Sequence, residues 1–190
     1  ERVAVPAPFP LLACPSGEYA GMGSADREPV VPEPRHERAR PKGEATMKAV
    51  RISGERQAEL IDLPDPKAKE EYVVVKVHAT PMCTEYKAYK AGHVCQGIGH
   101  EAAGEVVEVA QPGKAKVGDR VAVMPQSPCG RCALCLKGEY IHCQHLEDLT
   151  AATGYEGGNG TYAQYMLKQA WLLLPLPDDM SYEHAGMACC

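Results

Sequence analysis

The chain has 190 residues, with 20 Lys and Arg against 25 Asp and Glu and a formal charge of −5. That length suits one ordinary domain with or without a tail, and the mild acidity argues against a nucleic-acid partner, which usually meets a basic face. No apolar run approaches the roughly 18 residues of a membrane span, so no membrane partner is expected, while nine cysteines call for an explanation.

Residues 1–46 hold eight of the sixteen prolines and thirteen charged residues without a sustained period. Such a segment buries too little apolar surface to offset its ordering entropy, and it is expected to be a disordered, Pro-rich extension. Its apolar opening is broken by Pro6, Pro8 and Pro10 and lacks a basic start. No secretory signal is read there, and a cytoplasmic location is expected. The folded unit is expected over 47–190. Lys48–Ile52 alternates and meets the turn Ser53-Gly54; Ala58–Leu63 is a second strand, stopped by Pro64 and Pro66. Tyr72–His78 is a strong β-branched strand, followed by strands at Ala103–Ala110, Arg120–Met124, Gly160–Met166 and Ala170–Leu174. Short strands at this spacing predict a barrel or sandwich rather than alternating strands and helices. Only 181–190 reads as a helix, with Asp178, Asp179 or Ser181 as its cap.

The strongest signal is Cys129-Gly-Arg-Cys132-Ala-Leu-Cys135, with Cys143 after seven further residues. Two-residue gaps let successive thiolates turn onto one ion, and the longer gap brings the fourth round to close a tetrahedron. Four sulfurs leave no open position, so a zinc held there is structural. Arg131 and Lys137 can offset part of the net negative charge. A thioredoxin-like dithiol at Cys129 and Cys132 would leave Cys135 and Cys143 unexplained. A nucleic-acid zinc ribbon would need two distant pairs and a basic surface.

A second constellation is weaker by itself. Cys83 follows the strong strand, and His100 comes seventeen residues later in Gly99-His100-Glu101-Ala-Ala-Gly104. In order, Cys83, that motif, Val117-Gly118-Asp119-Arg120-Val121 and the four-cysteine lobe resemble the zinc-dependent medium-chain alcohol dehydrogenases from Met47 to Cys190. The resemblance implies a mainly β, GroES-like, partly open barrel with a zinc lobe and a short C-terminal helix. It implies a catalytic zinc on Cys83, His100 and a third ligand, placed at Cys190 with Cys189 as its neighbour, and Glu101 close enough to approach the metal. It also implies NAD(P), a small alcohol or polyol substrate, and a homo-oligomer at full length. Two thiolates and a neutral imidazole balance Zn²⁺ and leave a fourth position open. An alcohol bound there would lose its proton near neutral pH.

Three departures from that family stand out. The proton-relay Ser or Thr usually lies two residues after the first cysteine, with Asp next; here Thr84 is adjacent, Glu85 holds the relay position and Tyr86 replaces Asp. Either Glu85 or Thr84 is a candidate catalytic relay. Ala110 stands where Gly is usual. No Gly-x-Gly-x-x-Gly follows a strand anywhere, so the expected reading is a catalytic domain cut before its Rossmann domain and inactive alone. The competing class is a non-enzymatic zinc-stabilised β-barrel, an interaction module or enzyme remnant. Cys95 is read as a free or buried thiol, His142 and His145 as solvated loop residues, and Trp171 as a packing residue.

Overall fold

The computed structural model describes residues 45–95 and 97–188. The extension expected over 1–46 therefore lies almost wholly outside the described residues, as do Cys189 and Cys190. The described residues are mainly β. Strands β1 (Thr46–Gly54) and β2 (Gln57–Pro64) form an antiparallel hairpin with Met47 opposite Leu63. Strands β3 (Tyr72–Ala79), β4 (Ala102–Glu108), β5 (Arg120–Val123), β6 (Tyr165–Gln169) and β7 (Leu173–Pro175) form a five-stranded antiparallel sheet in the order β6-β3-β4-β5-β7.

Strand β3 lies between β6 and β4, and its first half is buried on both faces. Val73 and Val75 join Ala102, Val106, Val121, Val123, Met166 and Leu173 in one cluster. Tyr72 and Val74 join Leu167 on the opposite face. Only a run of apolar and β-branched residues can be covered on both sides in this way. Residues 160–164, expected to begin the sixth strand, do not pair as a ladder. They stitch the two sheets: Val50 N–H donates to Tyr162 O (2.8 Å), Gln164 N–H to Lys48 O (3.0 Å) and Val77 N–H to Gln164 O (3.0 Å). The result is the partly open barrel that the family resemblance implies. Residues 170–172, also expected as strand, form a 3₁₀ turn before β7.

Helices are more numerous than expected. Besides α4 (Tyr182–Gly186), there are α1 (Glu85–Ala91), α2 (Ala133–Leu136) and α3 (Leu149–Thr153). Each is too short for its period to register, yet α3 carries local signals. Asp148 Oδ1 accepts from Thr150 and Ala151 N–H, and Gly154 ends the helix in a left-handed conformation. Of the three cap candidates for α4, Ser181 serves, accepting from His184 N–H at 3.3 Å. Helix α4 lies on small side chains of β4 and β5, with Ala185 against Ala103 and Ala122. Its ring Tyr182 is stacked on His78 (4.5 Å between centroids) and sits under Arg120.

Candidate metal centres

The four-cysteine lobe leaves the sheet after β5 and returns before β6. Its ligand atoms from Cys129, Cys132, Cys135 and Cys143 all lie within 4.8 Å of one another. The sulfurs are 3.5 Å apart for Cys132–Cys135, 3.7 Å for Cys129–Cys143 and 3.9 Å for Cys129–Cys135. Four Zn–S bonds of about 2.3 Å in a regular tetrahedron put sulfurs about 3.8 Å apart. The lobe thus has the dimensions of a closed zinc site. Backbone N–H groups of Cys129 and His145 each lie 3.4 Å from Cys143 Sγ, as suits a thiolate. The N–H of Cys135 beside Cys132 draws that thiol down to about 6, whereas burial pushes the Cys135 thiol up to about 12. A metal resolves this split, because it holds all four sulfurs deprotonated. Trp171 packs beside the lobe, edge-on to Tyr140 at 5.4 Å. His142 and His145 are exposed, as expected for loop residues.

The second centre forms where β3 ends and β4 begins. Sγ of Cys83, an imidazole nitrogen of His100 and a carboxylate oxygen of Glu101 lie within 4.8 Å of one another. Tight backbone geometry sets them there. Gly99 has φ +88°, and a Cβ on it would run into Thr161 Oγ1. Gly104 lies against Lys76 O so closely that no Cβ fits. Thr80 Oγ1 donates to Glu101 O and contacts Thr161 Oγ1, both at 2.8 Å, tying the ends of β3 and β4 to the stitching segment. Tyr162 donates to Pro81 O, and its phenol is pushed up to about 12 by burial and by the charges of Glu85, Cys83 and Glu101.

Glu85, at the start of α1, is buried behind the imidazole. Its Oε1 is 2.6 Å from His100 Nδ1, and its Oε2 accepts from Cys83 N–H at 2.8 Å. A carboxylate accepts, so Nδ1 carries the proton and Nε2 presents its lone pair. Nε2 is 3.9 Å from Glu101 Oε2. That oxygen is buried and has no hydrogen-bond partner among the described residues. A buried carboxylate oxygen left unpaired is costly, and a divalent cation between it, Nε2 and Cys83 Sγ would remove the cost. The residues present therefore fit a zinc ion.

Sequence reasoning named Cys83, His100, Glu101, Glu85 and Thr84, and the structure brings the first four together. Thr84 stands at the start of α1, where its side chain makes no capping bond. The bond from Glu85 to His100 was missed, since nothing in the spacing reveals a contact fifteen positions away. Thr80 and Thr161 were also missed. Cys95, read as a free or buried thiol, is buried but disulfide-bonded.

The alcohol dehydrogenase GroES-like domain family matches residues 69–178. Sorbitol dehydrogenase of Bacillus subtilis (strain 168) is 32% identical over 150 residues, covering 74% of this chain and 41% of that protein. D-arabitol-phosphate dehydrogenase of Enterococcus avium is 37% identical over 158 residues, covering 76% and 44%. Among solved structures, a short chain alcohol dehydrogenase (rspB) from E. coli CFT073 complexed with cofactor NADH superposes with a TM-score of 0.61 at 29% identity, covering 76% of this chain and 42% of that one. The chain thus spans about two-fifths of the length of these relatives.

Proposed function

The chain belongs to the zinc-type medium-chain alcohol dehydrogenase family and carries its GroES-like domain, and from that premise we propose that it is the catalytic-domain portion of an NAD(P)-linked alcohol or polyol dehydrogenase. The observation that carries this reading is the convergence of Cys83 Sγ, His100 Nε2 and the unpartnered Glu101 Oε2, with Glu85 holding the imidazole from behind. Zinc bound there supplies Lewis-acid activation of a substrate hydroxyl for hydride donation to a nicotinamide. Cys83 and His100 hold the ion, and Cys190 is the proposed third ligand. Glu85 fixes the imidazole tautomer and orientation, and Glu101 approaches the open side. Because both Glu85 oxygens are engaged, Thr84 is the proposed proton relay. The lobe of Cys129, Cys132, Cys135 and Cys143 holds a second, structural zinc.

The names of the relatives, sorbitol and arabitol-phosphate dehydrogenases, support a polyhydroxy substrate. No residue of this chain is assigned to holding NAD(P). These 190 residues contain no strand, Gly-x-Gly-x-x-Gly and helix in succession, so alcohol-dependent NAD(P) reduction by them alone is not expected. Among the described residues, no helix is long and apolar enough to cross a membrane.

Metal analysis with chelator competition tests the reading. Two zinc ions are expected, one released readily and one slowly. Cys83→Ser should lose only the labile one. A single, tightly held zinc unaffected by that substitution would favour the non-enzymatic barrel module.

A further inference from the structure

We propose that Lys168 is a positioning residue for the four-cysteine zinc site, clamping the base of the lobe to the sheet and setting how firmly the lobe keeps its metal. This rests on reading the lobe as a zinc site. Lys168 is the last but one residue of β6, between the buried Leu167 and Gln169, and is only 4% exposed. Its Nζ donates to Gln126 O and lies 3.4 Å from Ser127 Oγ. The next residue turns to the same short segment: Gln169 Nε2 donates to Pro128 O at 3.3 Å. Two successive side chains, both almost fully buried, thus grip residues 126–128, immediately before the first ligand Cys129.

The other side of the lobe closes onto the same place. Glu147 N–H donates to Ser127 O at 2.8 Å, and the Glu147 carboxylate pairs with Arg131 at 3.1 Å. The strand behind is rigid, for β6 is paired with β3 from Tyr72–Gln169 to Lys76–Tyr165. Residues 126–128 are therefore held at the sheet by Lys168 and Gln169 and at the far side of the lobe by Glu147.

A buried lysine is an expensive way to fill a strand position that Leu or Met would fill more cheaply. Two gains offset that cost. Fixing the start of the loop reduces the ordering entropy that metal binding must overcome. The second gain is electrostatic. Four thiolates on Zn²⁺ carry a net charge of −2, and Ser127 and Cys129 are two residues apart, at most about 7 Å of chain. A cation fixed at Ser127 stabilises that charge from inside a low-dielectric wall. Both gains act on the zinc-bound lobe, so removing Lys168 should weaken metal retention beyond any general loss of stability.

The test uses Lys168→Met on the full 190-residue chain, with zinc and cobalt as probes. Zinc release from the lobe to a strong chelator should be at least tenfold faster than in the unsubstituted chain, and the cobalt–thiolate absorption should change. The unfolding midpoint should drop more with zinc than without it. Equal drops in the two forms with an unchanged release rate would mean ordinary core packing and would overturn the proposal. Hydrogen exchange on the unsubstituted chain covers the case in which Lys168→Met does not fold. Zinc removal should speed exchange in 126–129 and also in β6, and unchanged β6 exchange would overturn the clamp. If the unsubstituted lobe takes up no zinc, the zinc reading of the lobe fails first and this proposal with it.

Discussion

Replacing Glu85 separates the two metal centres most cleanly. Its carboxylate accepts two hydrogen bonds, from His100 Nδ1–H at 2.6 Å and from Cys83 N–H at 2.8 Å. Both partners belong to proposed zinc ligands. Glu85→Gln keeps the volume but puts a donating NH2 where one of the two accepting oxygens stood, so one of the two bonds is lost. Glu85→Ala accepts from neither and leaves Nδ1–H facing a small void. One charge-assisted bond contributes about 1.5–3 kcal/mol, and a lost orienting partner typically costs about 10–100-fold in metal affinity. The two scales agree, because 1.4 kcal/mol is about tenfold. Glu85→Gln is therefore expected to weaken zinc at Cys83 and His100 about tenfold, and Glu85→Ala to approach a hundredfold. The lobe should keep its zinc with unchanged affinity in both variants. Competition titration with a fluorescent zinc chelator reads both sites in one experiment. Unchanged affinity at the labile site in Glu85→Ala would refute the orienting role. Equal weakening of both sites would point to a damaged fold.

Other outcomes follow from the same geometry. Cys143→Ala removes a lobe ligand and should abolish the slowly released zinc while leaving the labile one, measured as metal per chain before and after chelation. Cys190→Ser should lose the labile zinc whereas Cys189→Ser retains it; the reverse result would move the third ligand to Cys189. Gly99→Ala forces a Cβ into Thr161 at a positive φ, and should lower the unfolding midpoint and weaken the labile zinc together, read by thermal melting and metal titration. The phenols of Tyr72, Tyr155 and Tyr162 are each pushed up to about 12, chiefly by burial. The folded chain thus holds these protons more tightly than the unfolded one, so their contribution to stability should be constant below pH 10 and be lost as pH rises from about 10 towards 12. Tyr155→Phe should reduce that fall; an identical alkaline melting profile would count against the buried phenol at Pro64 O.

Much of the fold was legible because its strands carry short-range patterns. The run Tyr72–Val75 announced a buried strand, and the hairpin of β1 and β2 was delimited by Ser53-Gly54 and Pro64. The mistakes fall where tertiary contacts override local preference. Residues 160–164 have the composition of a strand, yet they bridge Lys48, Val50 and Val77 in place of a ladder, because joining the two sheets needs a segment that bonds to each in turn. The short helices escaped for the opposite reason: seven residues or fewer show no helical period, and only caps such as Asp148 with Gly154 betray them.

The two centres were unequally legible for a physical reason. The lobe is local: its ligands lie within fifteen residues, so spacing alone encodes the tetrahedron. The other centre is assembled by the sheet. Cys83 and His100 sit on loops that meet only because β3 pairs antiparallel with β4, with Val77 opposite Gly104. The missing Cβ of Gly104 lets the two backbones approach closely beside the site. In sequence, Cys83 and His100 are each an ordinary residue, and only a family resemblance tied them together. The same logic explains why Glu85 stood beside Thr84 as a candidate proton relay. Its distance from Cys83 in the chain fitted that role, whereas its bond to His100 depends on how α1 is set against the mouth of β4. A relay must face the substrate, but Glu85 is buried with both oxygens engaged. Glu101 is buried too, yet its Oε2 is unengaged and approaches Nε2. The adjacent pair His100-Glu101 therefore gives the centre its direction, with Glu85 supporting the closed side and Glu101 marking the side on which a metal and its substrate would meet.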